Sequence, residues 1–429
     1  MEQSIGIGLL GAGTVGSALI ARLVGESEAI AAKTGLTFDV RKIGVNRLER
    51  ERDFAITEGL LTDDPFEVVN DPTVDLVVEV MGGKEPAGDL ILAALQAGKP
   101  VISANKELIA SRGPELIAAA ERAGVPFLFE AAVGGGIPII RPLSETLAGE
   151  RLDRVLGIVN GTTNYILTEM ASEGSTYEAA LEQATALGYA ETDPTADISG
   201  ADAAAKAAIL ASLAFGTWVG VDDVYVEGIE AITSVDMTFA AEFGFVIKLI
   251  AVCERSESGV SARVHPAMIP LDHPLASIRG ATNAVYLEGP TIESLLFSGP
   301  GAGGGPTATA VLGDVIDAAR ETLAGAQVAP RIRFSPTELV PFTDVATRWY
   351  VRLQVDDQPG VLAQIASGFG DAGVSIRSVW QEGVDDEAAL IVVTHSAAES
   401  AQRSALASLR AIDEVIEVAS VIRVLEHES

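Results

Sequence analysis

Lysine is scarce in this chain, and one of its seven lysines stands where an amine could transfer protons. Lys206 lies in a predicted helix among alanines and aliphatic residues, where an ammonium group has no evident structural purpose. Asp202 precedes it by one turn and shares its face of the helix. An amine beside a reacting carbonyl can donate a proton to the developing alkoxide. Lys206 is therefore a candidate functional residue, with an exposed ion pair between these two residues as the alternative.

The segment before this lysine is rich in acid. Four carboxylates fall within twelve residues, namely Glu191, Asp193, Asp197 and Asp202. The first three lie in a predicted loop and the fourth on the helix. Carboxylates clustered around one amine suit a substrate that carries its own ammonium group. A solvated acidic loop is the alternative in a chain with 60 acidic and 29 basic residues.

A glycine-rich turn lies near the start of the chain. Residues 11–16 read Gly-Ala-Gly-Thr-Val-Gly, between a predicted strand at 5–10 and a predicted helix at 14–24. In that context the pattern predicts dinucleotide binding, because the turn lets backbone N–H groups approach a pyrophosphate. A packing turn is the alternative. The second strand ends at Val45, Asn46 and Arg47 with no acid, and a cation there favours the 2′-phosphate of NADP(H). Lys106 follows another strand end, where sheets of this kind place ligands.

Three regions with different patterns must position these residues. Strand candidates at 5–10, 38–45, 75–80, 100–102 and 126–129 alternate with helical patterns at 14–24, 87–97 and 114–122, which predicts a doubly wound parallel sheet. A mixed α+β region follows, with predicted helices at 164–172, 177–187, 201–215 and 237–250 and strands at 151–159, 224–232 and 259–265. The last region has the order βαββαβ of a ferredoxin-like unit.

We therefore expect an α/β fold with four parts. A Rossmann-type domain covers residues 1–133, with a helix returning at about 300–325. A catalytic and dimerisation domain covers 134–299, a linker 326–346, and the ferredoxin-like domain 347–429.

Composition excludes several classes of protein. A formal charge of −31 disfavours nucleic acid and anionic membranes as partners. The single cysteine, Cys253, excludes an intrachain disulfide and a multi-thiolate metal site. With no signal sequence and no clean apolar run of about 20 residues, we expect a cytoplasmic protein.

Several segments together resemble one family. Residues 184–189 and 202–206, with the acidic segment between them, closely resemble the signature of homoserine dehydrogenases. Residues 11–16, 103–106, 130–138, 160–165 and 299–303 match as well. The resemblance covers about residues 4–325. It implies NAD(P)-dependent interconversion of L-homoserine and L-aspartate 4-semialdehyde, in the biosynthesis of threonine, methionine and isoleucine. Because the glycine turn lies so close to Met1, we expect no fused kinase domain.

The resemblance also implies roles for single residues. Lys206 would be the acid/base, and Lys106 would contact both nicotinamide and substrate. Substrate would be bound by Glu191 and Asp202, supported by Asp193 and Asp197. Cofactor contacts would come from Gly11, Gly13, Thr14, Val15, Gly16, Arg47, Ser103, Lys106, Gly188 and Gly303. A sodium ion would bind Glu130 and the carbonyls of Val133, Gly135 and Ile137, since oxygen ligands suit a hard cation. A plain glycine hinge is the alternative for that segment.

The C-terminal unit resembles an ACT domain, a small amino-acid-binding regulatory fold. Its strand–helix turn includes Gln358, Gly360, Val361 and Leu362, which would bind the effector with N–H groups at the helix start. The resemblance implies L-threonine as effector and a homo-oligomer, dimer or tetramer. A purely structural dimerisation module is the alternative.

Two other functions stay open on the sequence alone. An ACT-bearing prephenate or hydroxyacid dehydrogenase would need a catalytic histidine, which the 188–206 segment lacks. His265, His273, His395 and His427 show no metal or triad spacing. A non-enzymatic sensor of nucleotide and amino acid would leave Lys206 and its carboxylates without a task.

Overall fold

The computed structural model describes residues 4–52, 54–190, 192–325, 331, 333–384 and 387–425. They form two compact units, each assembled from segments distant in sequence. The first unit contains 1–152, 208–221 and 283–336, and the second contains 153–207, 222–282 and 337–429. Within the described ranges, no helix is both long and apolar enough to cross a bilayer.

The first 130 residues form a parallel α/β sheet in the first unit. The strands are β1 (Ile5–Leu10), β2 (Phe38–Gly44), β3 (Leu61–Thr62), β4 (Leu76–Glu79), β5 (Val101–Ser103) and β6 (Phe127–Leu128). The helices are α1 (Thr14–Gly25), α2 (Ser27–Thr34), α3 (Pro65–Asn70), α4 (Ala87–Gln96) and α5 (Lys106–Ala123). The strand order is β3-β2-β1-β4-β5-β6. The predicted doubly wound sheet is confirmed.

The middle of the chain follows with these elements: β7 (Arg154–Ile158), α6 (Gly161–Glu173), α7 (Tyr177–Ala186), α8 (Thr195–Ile198), α9 (Ala201–Phe215), β8 (Tyr225–Val226), α10 (Ser234–Glu242), β9 (Phe245–Ser256), β10 (Gly259–Pro270), β11 (Thr282–Gly289), β12 (Glu293–Pro300) and α11 (Gly304–Ala324). Helix α11 belongs to the first unit and packs on α1. Its Val311 and Val315 share a core with Ile7, Leu9 and Leu19 of the parallel sheet.

The chain ends with β13 (Ala346–Asp356), α12 (Val361–Asp371), β14 (Ile376–Val384), β15 (Glu387–Thr394), β16 (Ala397–Ala398), α13 (Glu399–Leu409) and β17 (Val415–Val424). This is the predicted βαββαβ order. Val351, Leu353, Ile365, Phe369 and Leu390 form its buried core. Part of the predicted linker, residues 326–330 and 332, lies outside the described residues.

One sheet runs through the second unit. Its strands follow the order β7-β9-β10-β17-β13-β15-β14. β10 and β17 pair in parallel, with Ala267 opposite Arg423 and Met268 opposite Val424. The strands of the ferredoxin-like region therefore belong to the same sheet as those of the middle region and do not form a separate sheet.

Two predicted elements are wrong in this region. The helix expected at 237–250 ends at Glu242, because Gly244 turns the chain with a φ of +79° and β9 begins at Phe245. A continuous apolar run buried on both faces of a sheet does not distinguish strand from buried helix. The strand expected at 224–232 covers only Tyr225 and Val226.

Candidate active site

The amine of Lys206 is held at two points inside the second unit. Its Nζ donates to Asp202 Oδ2 and to the carbonyl of Val159, both at 2.7 Å. The Lys206 and Asp202 side chains are each only 11% exposed. The pair has the predicted i,i+4 spacing, but it is not the exposed surface pair that the sequence left open. Helix α9 therefore holds the Lys206 amine at a defined position.

Asn160 joins two of the predicted carboxylates. Its Nδ2 donates to Asp197 Oδ1 at 2.7 Å and to Asp202 Oδ2 at 2.9 Å, while its Oδ1 caps α6 by accepting from Thr163 N. The hydroxyl of Thr162 lies 3.0 Å from Asp197 Oδ2. The sequence assigned no role to Asn160 or Thr162. A polar pair at the first turn of a helix, directly after a buried strand, was the signal available.

The other two predicted carboxylates have different outcomes. Asp193 is exposed and accepts from Thr195 N at 3.1 Å, and its hydrogen bonds with Thr195 lower the pKa of Asp193. Among the contacts of the described residues, it does not join the Asp197–Asp202 network. Glu191 lies outside the described residues. The structure thus brings together two of the four acids and the lysine.

Helix α6, which carries Asn160 at its start, is anchored by a buried lysine. Lys248 on β9 is 1% exposed, and its Nζ donates to Asn164 Oδ1 at 2.8 Å and to the Ile278 carbonyl at 2.7 Å. None of the described carboxylates pairs with it. Burial lowers the pKa of Lys248 from 10.5 to about 8, with repulsion from Arg279 adding to the effect.

This shift predicts how stability depends on pH. Below pH 8 both folded and unfolded chains hold the proton, so folding carries the cost of burying a charge. Between pH 8 and 10.5 only the unfolded chain binds it, and the free energy of unfolding rises with pH by about 3 kcal/mol. The free energy of unfolding, measured with denaturant at pH 8 and pH 10, should rise in the parent protein. The Lys248→Met variant should not show this rise. Equal slopes in the two proteins, with exposed Lys33→Met as control, would contradict it.

The predicted nucleotide turn lies at the end of β1 in the first unit. Gly11 has a φ of +102°, and a Cβ on Gly16 would lie 2.3 Å from the Gly11 carbonyl. A Cβ on Gly13 would meet nothing within 4 Å. Helix α1 begins at Thr14 and Val15 with no side-chain cap. The turn therefore needs glycine for its conformation and for close packing, and leaves helix N–H groups open to an anion.

A cavity of about 420 Å³ opens beside this turn. Its lining includes Gly11–Gly13, Val45–Arg47, Arg50, Arg52 and Asp63. Arg52 donates to the carbonyls of Arg47, Leu48 and Arg50 and so holds the loop after β2. Arg47 is thereby placed near the predicted phosphate turn. Arg50 and Asp63, which the sequence did not assign, line the same cavity.

The ends of β4 and β5 are tied together by Glu79. This fully buried carboxylate accepts from Ser103 Oγ at 2.7 Å and from the N–H groups of Met81 and Gly82. Burial raises the pKa of Glu79. Ser103 in turn accepts from Asn105 N, and Asn105 caps the helix that Lys106 begins. The predicted residue Ser103 thus ends β5, and the predicted residue Lys106 begins the helix that follows it.

Two further predicted cofactor glycines lie in different units. Gly303 precedes α11 with a φ of +109°. A Cβ on the next residue, Gly304, would lie 3.0 Å from the Thr14 carbonyl, so Gly303 approaches the nucleotide turn. Gly188, with a φ of +77°, ends the turn after α7 in the second unit.

The predicted cation segment has donors of the expected chemistry. The Glu130 carboxylate accepts from the N–H groups of residues 139, 140 and 141, which leaves about one of its four lone-pair sites. No backbone amide of the described residues donates to the carbonyls of Val133, Gly135 or Ile137. A buried carbonyl without an N–H partner suits a hard cation. Within the described ranges, no cluster of three His, Cys, Asp or Glu side chains offers a different metal site.

The sequence of this chain matches three family models. Residues 11–130 match "Homoserine dehydrogenase, NAD binding domain", residues 138–316 match "Homoserine dehydrogenase", and residues 349–414 match "ACT domain". The chain is 48% identical to the homoserine dehydrogenase of Mycobacterium tuberculosis, covering 98% of both proteins. It is 46% identical to that of Corynebacterium glutamicum, covering 98% of this chain and 96% of the relative. The chain belongs to the homoserine dehydrogenase family.

Solved structures of the family agree with this assignment. The homoserine dehydrogenase of Thiobacillus denitrificans superposes with a TM-score of 0.93 at 40% identity over 99% of both chains. A hyperthermophilic archaeal homoserine dehydrogenase in complex with NADPH gives a TM-score of 0.60 at 29% identity, covering 74% of this chain and 98% of the other. The protein is thus an NAD(P)-dependent oxidoreductase acting on a CH–OH group. The alternatives of a prephenate or hydroxyacid dehydrogenase and of a non-enzymatic sensor are wrong.

Proposed function

We propose that the chain interconverts L-homoserine and L-aspartate 4-semialdehyde with NADP(H), using Lys206 as acid/base, on the route to threonine, methionine and isoleucine. The observation that carries this is the Lys206 ammonium, fixed between Asp202 and the Val159 carbonyl. When bound, the nicotinamide supplies or accepts the hydride. Lys206 would donate a proton to the developing alkoxide oxygen during reduction of the aldehyde. In the reverse direction its amine would accept the hydroxyl proton of homoserine.

Asp202 has two tasks in this proposal. It fixes the Lys206 amine, and its charge also attracts the ammonium group of the amino-acid substrate. Asn160 supports both tasks, because its amide neutralises part of the repulsion between Asp197 and Asp202. Glu191 and Asp193 stay predicted substrate contacts, and Lys106 stays a predicted contact to substrate and nicotinamide.

The reaction itself is tested by a direct assay. Homoserine with NADP⁺ should give NADPH, and prephenate or 3-phosphoglycerate should not. Absence of homoserine-dependent NADPH formation in folded protein would overturn the substrate assignment.

The cavity beside Gly11 supports a preference for NADP(H). Arg47 and Arg50 supply cationic side chains beside the phosphate turn, which suits a 2′-phosphate. Asp63 in the same lining is the feature that would favour the ribose hydroxyls of NAD(H). The other predicted contacts, Thr14, Val15, Gly16, Ser103, Gly188 and Gly303, would complete the cofactor site.

The donor chemistry at Glu130 supports the proposed sodium site. Sodium would bind the carbonyls of Val133, Gly135 and Ile137 with the remaining lone pair of Glu130. Its charge would stabilise the loop by attracting these three carbonyl oxygens. In this region Gly136 N donates to the Pro300 carbonyl, so the loop also contacts the glycine cluster near Gly303.

A cavity at the start of α12 supports regulation by L-threonine. It measures about 420 Å³, and its lining includes Asp356–Leu362 and Gln381. Gly360 precedes the helix with a φ of +99° and offers no side-chain cap, so Leu362 presents its N–H group to an effector carboxylate, whereas Val361 N donates to the Gln358 carbonyl at 3.4 Å. Asp357, which accepts from Gln381 Nε2 at 3.0 Å, offers a charge for the effector's ammonium group.

Contacts within the second unit supply a physical route from this cavity to the acidic segment. Arg352, four residues before Asp356 on β13, donates twice to fully buried Asp236 at 3.0–3.1 Å. Arg423 on β17 pairs with Glu227. Ile229 N, two residues on, donates to the Ile198 carbonyl at 2.9 Å. Movement of the ACT strands would therefore reach the segment that holds Asp197 and Asp202.

The Arg352–Asp236 contact gives a test of this route. In the double variant Arg352→Gln with Asp236→Asn, no buried charge is left unpaired and the Thr233 cap keeps an acceptor. We expect threonine to bind with unchanged Kd by calorimetry, while its inhibition weakens at least about fivefold, because the coupling between sites is reduced. Arg377→Gln on exposed β14 is the control. Unaltered inhibition in the double variant would contradict the route.

The remaining assignments are also proposals. They are a homo-oligomer, dimer or tetramer, a cytoplasmic location, and the domain bounds 1–133, 134–299 and 347–429. Pairing between the ACT domains of two chains, which the resemblance implies, would give an assembly larger than a monomer.

A further inference from the structure

A second polar cavity lies inside the second unit, away from Lys206 and from the effector turn. It measures about 130 Å³, well above the roughly 10–15 Å³ that a cavity needs to hold one water molecule. Strands β7, β9 and β10 form one part of its lining, and β13 and β17 form the other. Its polar lining residues are Arg154, Glu254, Arg263, His265, Thr347, Arg348 and Arg423.

Two of these side chains are buried with polar atoms that have no partner among the described residues. Arg263 is 6% exposed, and its Nε and Nη1 make no hydrogen bond, while its Nη2 pairs with Glu254 at 2.7 Å. His265 is 3% exposed, and its Nε2 is also without a partner. Both residues stand on the same face of β10, two positions apart. Buried polar groups in native proteins normally find a protein, water or ligand partner.

The charges of the lining favour an anion. Four guanidinium groups face one carboxylate, Glu254. Glu227 and Glu399 pair with Arg423, while Arg154 and Arg263 share the single carboxylate of Glu254. Planar guanidinium groups match phosphate oxygens in geometry as well as charge.

The histidine adds a second requirement for the ligand. His265 Nδ1 lies 2.9 Å from the Pro266 carbonyl, which places the proton on Nδ1. Burial, together with Arg423 and Arg263, keeps the pKa of His265 well below 6.5, so Nε2 is an acceptor. A ligand that fits must be an anion and must also carry a hydroxyl proton. Hydrogenphosphate meets both conditions, sulfate lacks the proton, and a carboxylate lacks both the proton and the tetrahedral shape.

We propose that this cavity is a phosphate-binding site, in which Arg263 binds phosphate oxygens and His265 accepts the P–OH proton in a hydrogen bond. Because both catalytic-region and ACT strands line it, a bound phosphate group joins the two halves of the sheet. The ligand is free phosphate or the phosphate group of a small ester.

Calorimetry on the full-length protein tests the site. Saturating NADP⁺ is present so that the cofactor's phosphates fill the glycine-turn site, and ionic strength is held with chloride. We expect inorganic phosphate to bind at one site per chain and at least about tenfold more tightly than sulfate or acetate. If glycerol phosphate binds as tightly as inorganic phosphate, the site accepts a phosphate ester. If glycerol phosphate binds more weakly, the ligand is the free anion.

Matched variants separate the site from general ionic effects. Arg263→Lys keeps a charge for Glu254 but removes the two free donors, and we expect phosphate Kd to rise about tenfold or more. His265→Phe should abolish the preference for phosphate over sulfate. Arg403→Lys changes a cation that pairs with Glu399 but does not line the cavity, and should bind as the parent does. Absence of saturable binding, equal affinity for sulfate, or unchanged affinity in Arg263→Lys would each overturn the proposal.

Discussion

Replacing Lys206 with methionine is expected to lower kcat about 1,000-fold, because general acid/base groups typically contribute 10²- to 10⁴-fold. The methionine fills similar apolar space along α9 but offers no proton to the alkoxide. Its effect on KM for NADPH should be small, since the residue is assigned to proton transfer rather than to cofactor binding. Steady-state kinetics in both directions, with circular dichroism to verify folding, make the measurement.

The structure offers two comparisons for this variant. Lys33→Met removes an exposed lysine from another helix, α2, and should behave as the parent. Asp202→Asn keeps an acceptor for the Lys206 amine but removes the charge, and should raise KM for homoserine as well as lower kcat. Turnover within about tenfold of the parent in Lys206→Met would end its assignment as acid/base.

Reversing the charge of Arg47 is expected to change cofactor choice. In Arg47→Glu a carboxylate replaces the guanidinium beside the glycine turn and repels the 2′-phosphate of NADPH. Charge-assisted hydrogen bonds contribute about 1.5–3 kcal/mol, so kcat/KM for NADPH should fall roughly 10- to 100-fold. The value for NADH should change little, because NADH has no phosphate at that position.

The ratio of the two kcat/KM values is the decisive readout. A loss of stability would lower both values together and leave their ratio unchanged. Arg41→Glu reverses an exposed charge on β2, the strand before the loop that holds Arg47; it lies outside the cavity lining and serves as control. An unchanged ratio in Arg47→Glu would mean that Arg50 or Asp63 decides the preference.

The local sequence pattern was sufficient to predict most of the helices and strands of the first unit. The glycine turn between β1 and α1 could be predicted because positive φ and close backbone approach both demand glycine. The start of α5 was predicted wrongly. The sequence pointed to 114–122, whereas the helix begins at Lys106, because the Asn105 side chain caps it and Pro114 is accommodated inside it.

In the candidate site too, some residues could be identified from the sequence and others only from the structure. Lys206, Asp197 and Asp202 were identified from residue type and spacing, since a lone amine among alanines and a dense run of acids are visible locally. Asn160, Asp63 and Arg352 were not assigned. Asn160 meets Asp202 across 42 residues of sequence, and Arg352 meets Asp236 across 116. Nothing near either residue in the chain indicates its partner.

The sequence by itself determined the alternating strands and helices of the parallel sheet, the dinucleotide turn, the ferredoxin-like C-terminal unit and Lys206 as the candidate acid/base. These depend on periodicity, turn chemistry and charge within a few neighbouring residues. Only the tertiary structure decided that β9 is a strand, that Asn160 joins two carboxylates, and that β17 extends the sheet of β10. Each depends on hydrogen bonds and burial between segments that packing alone brings together.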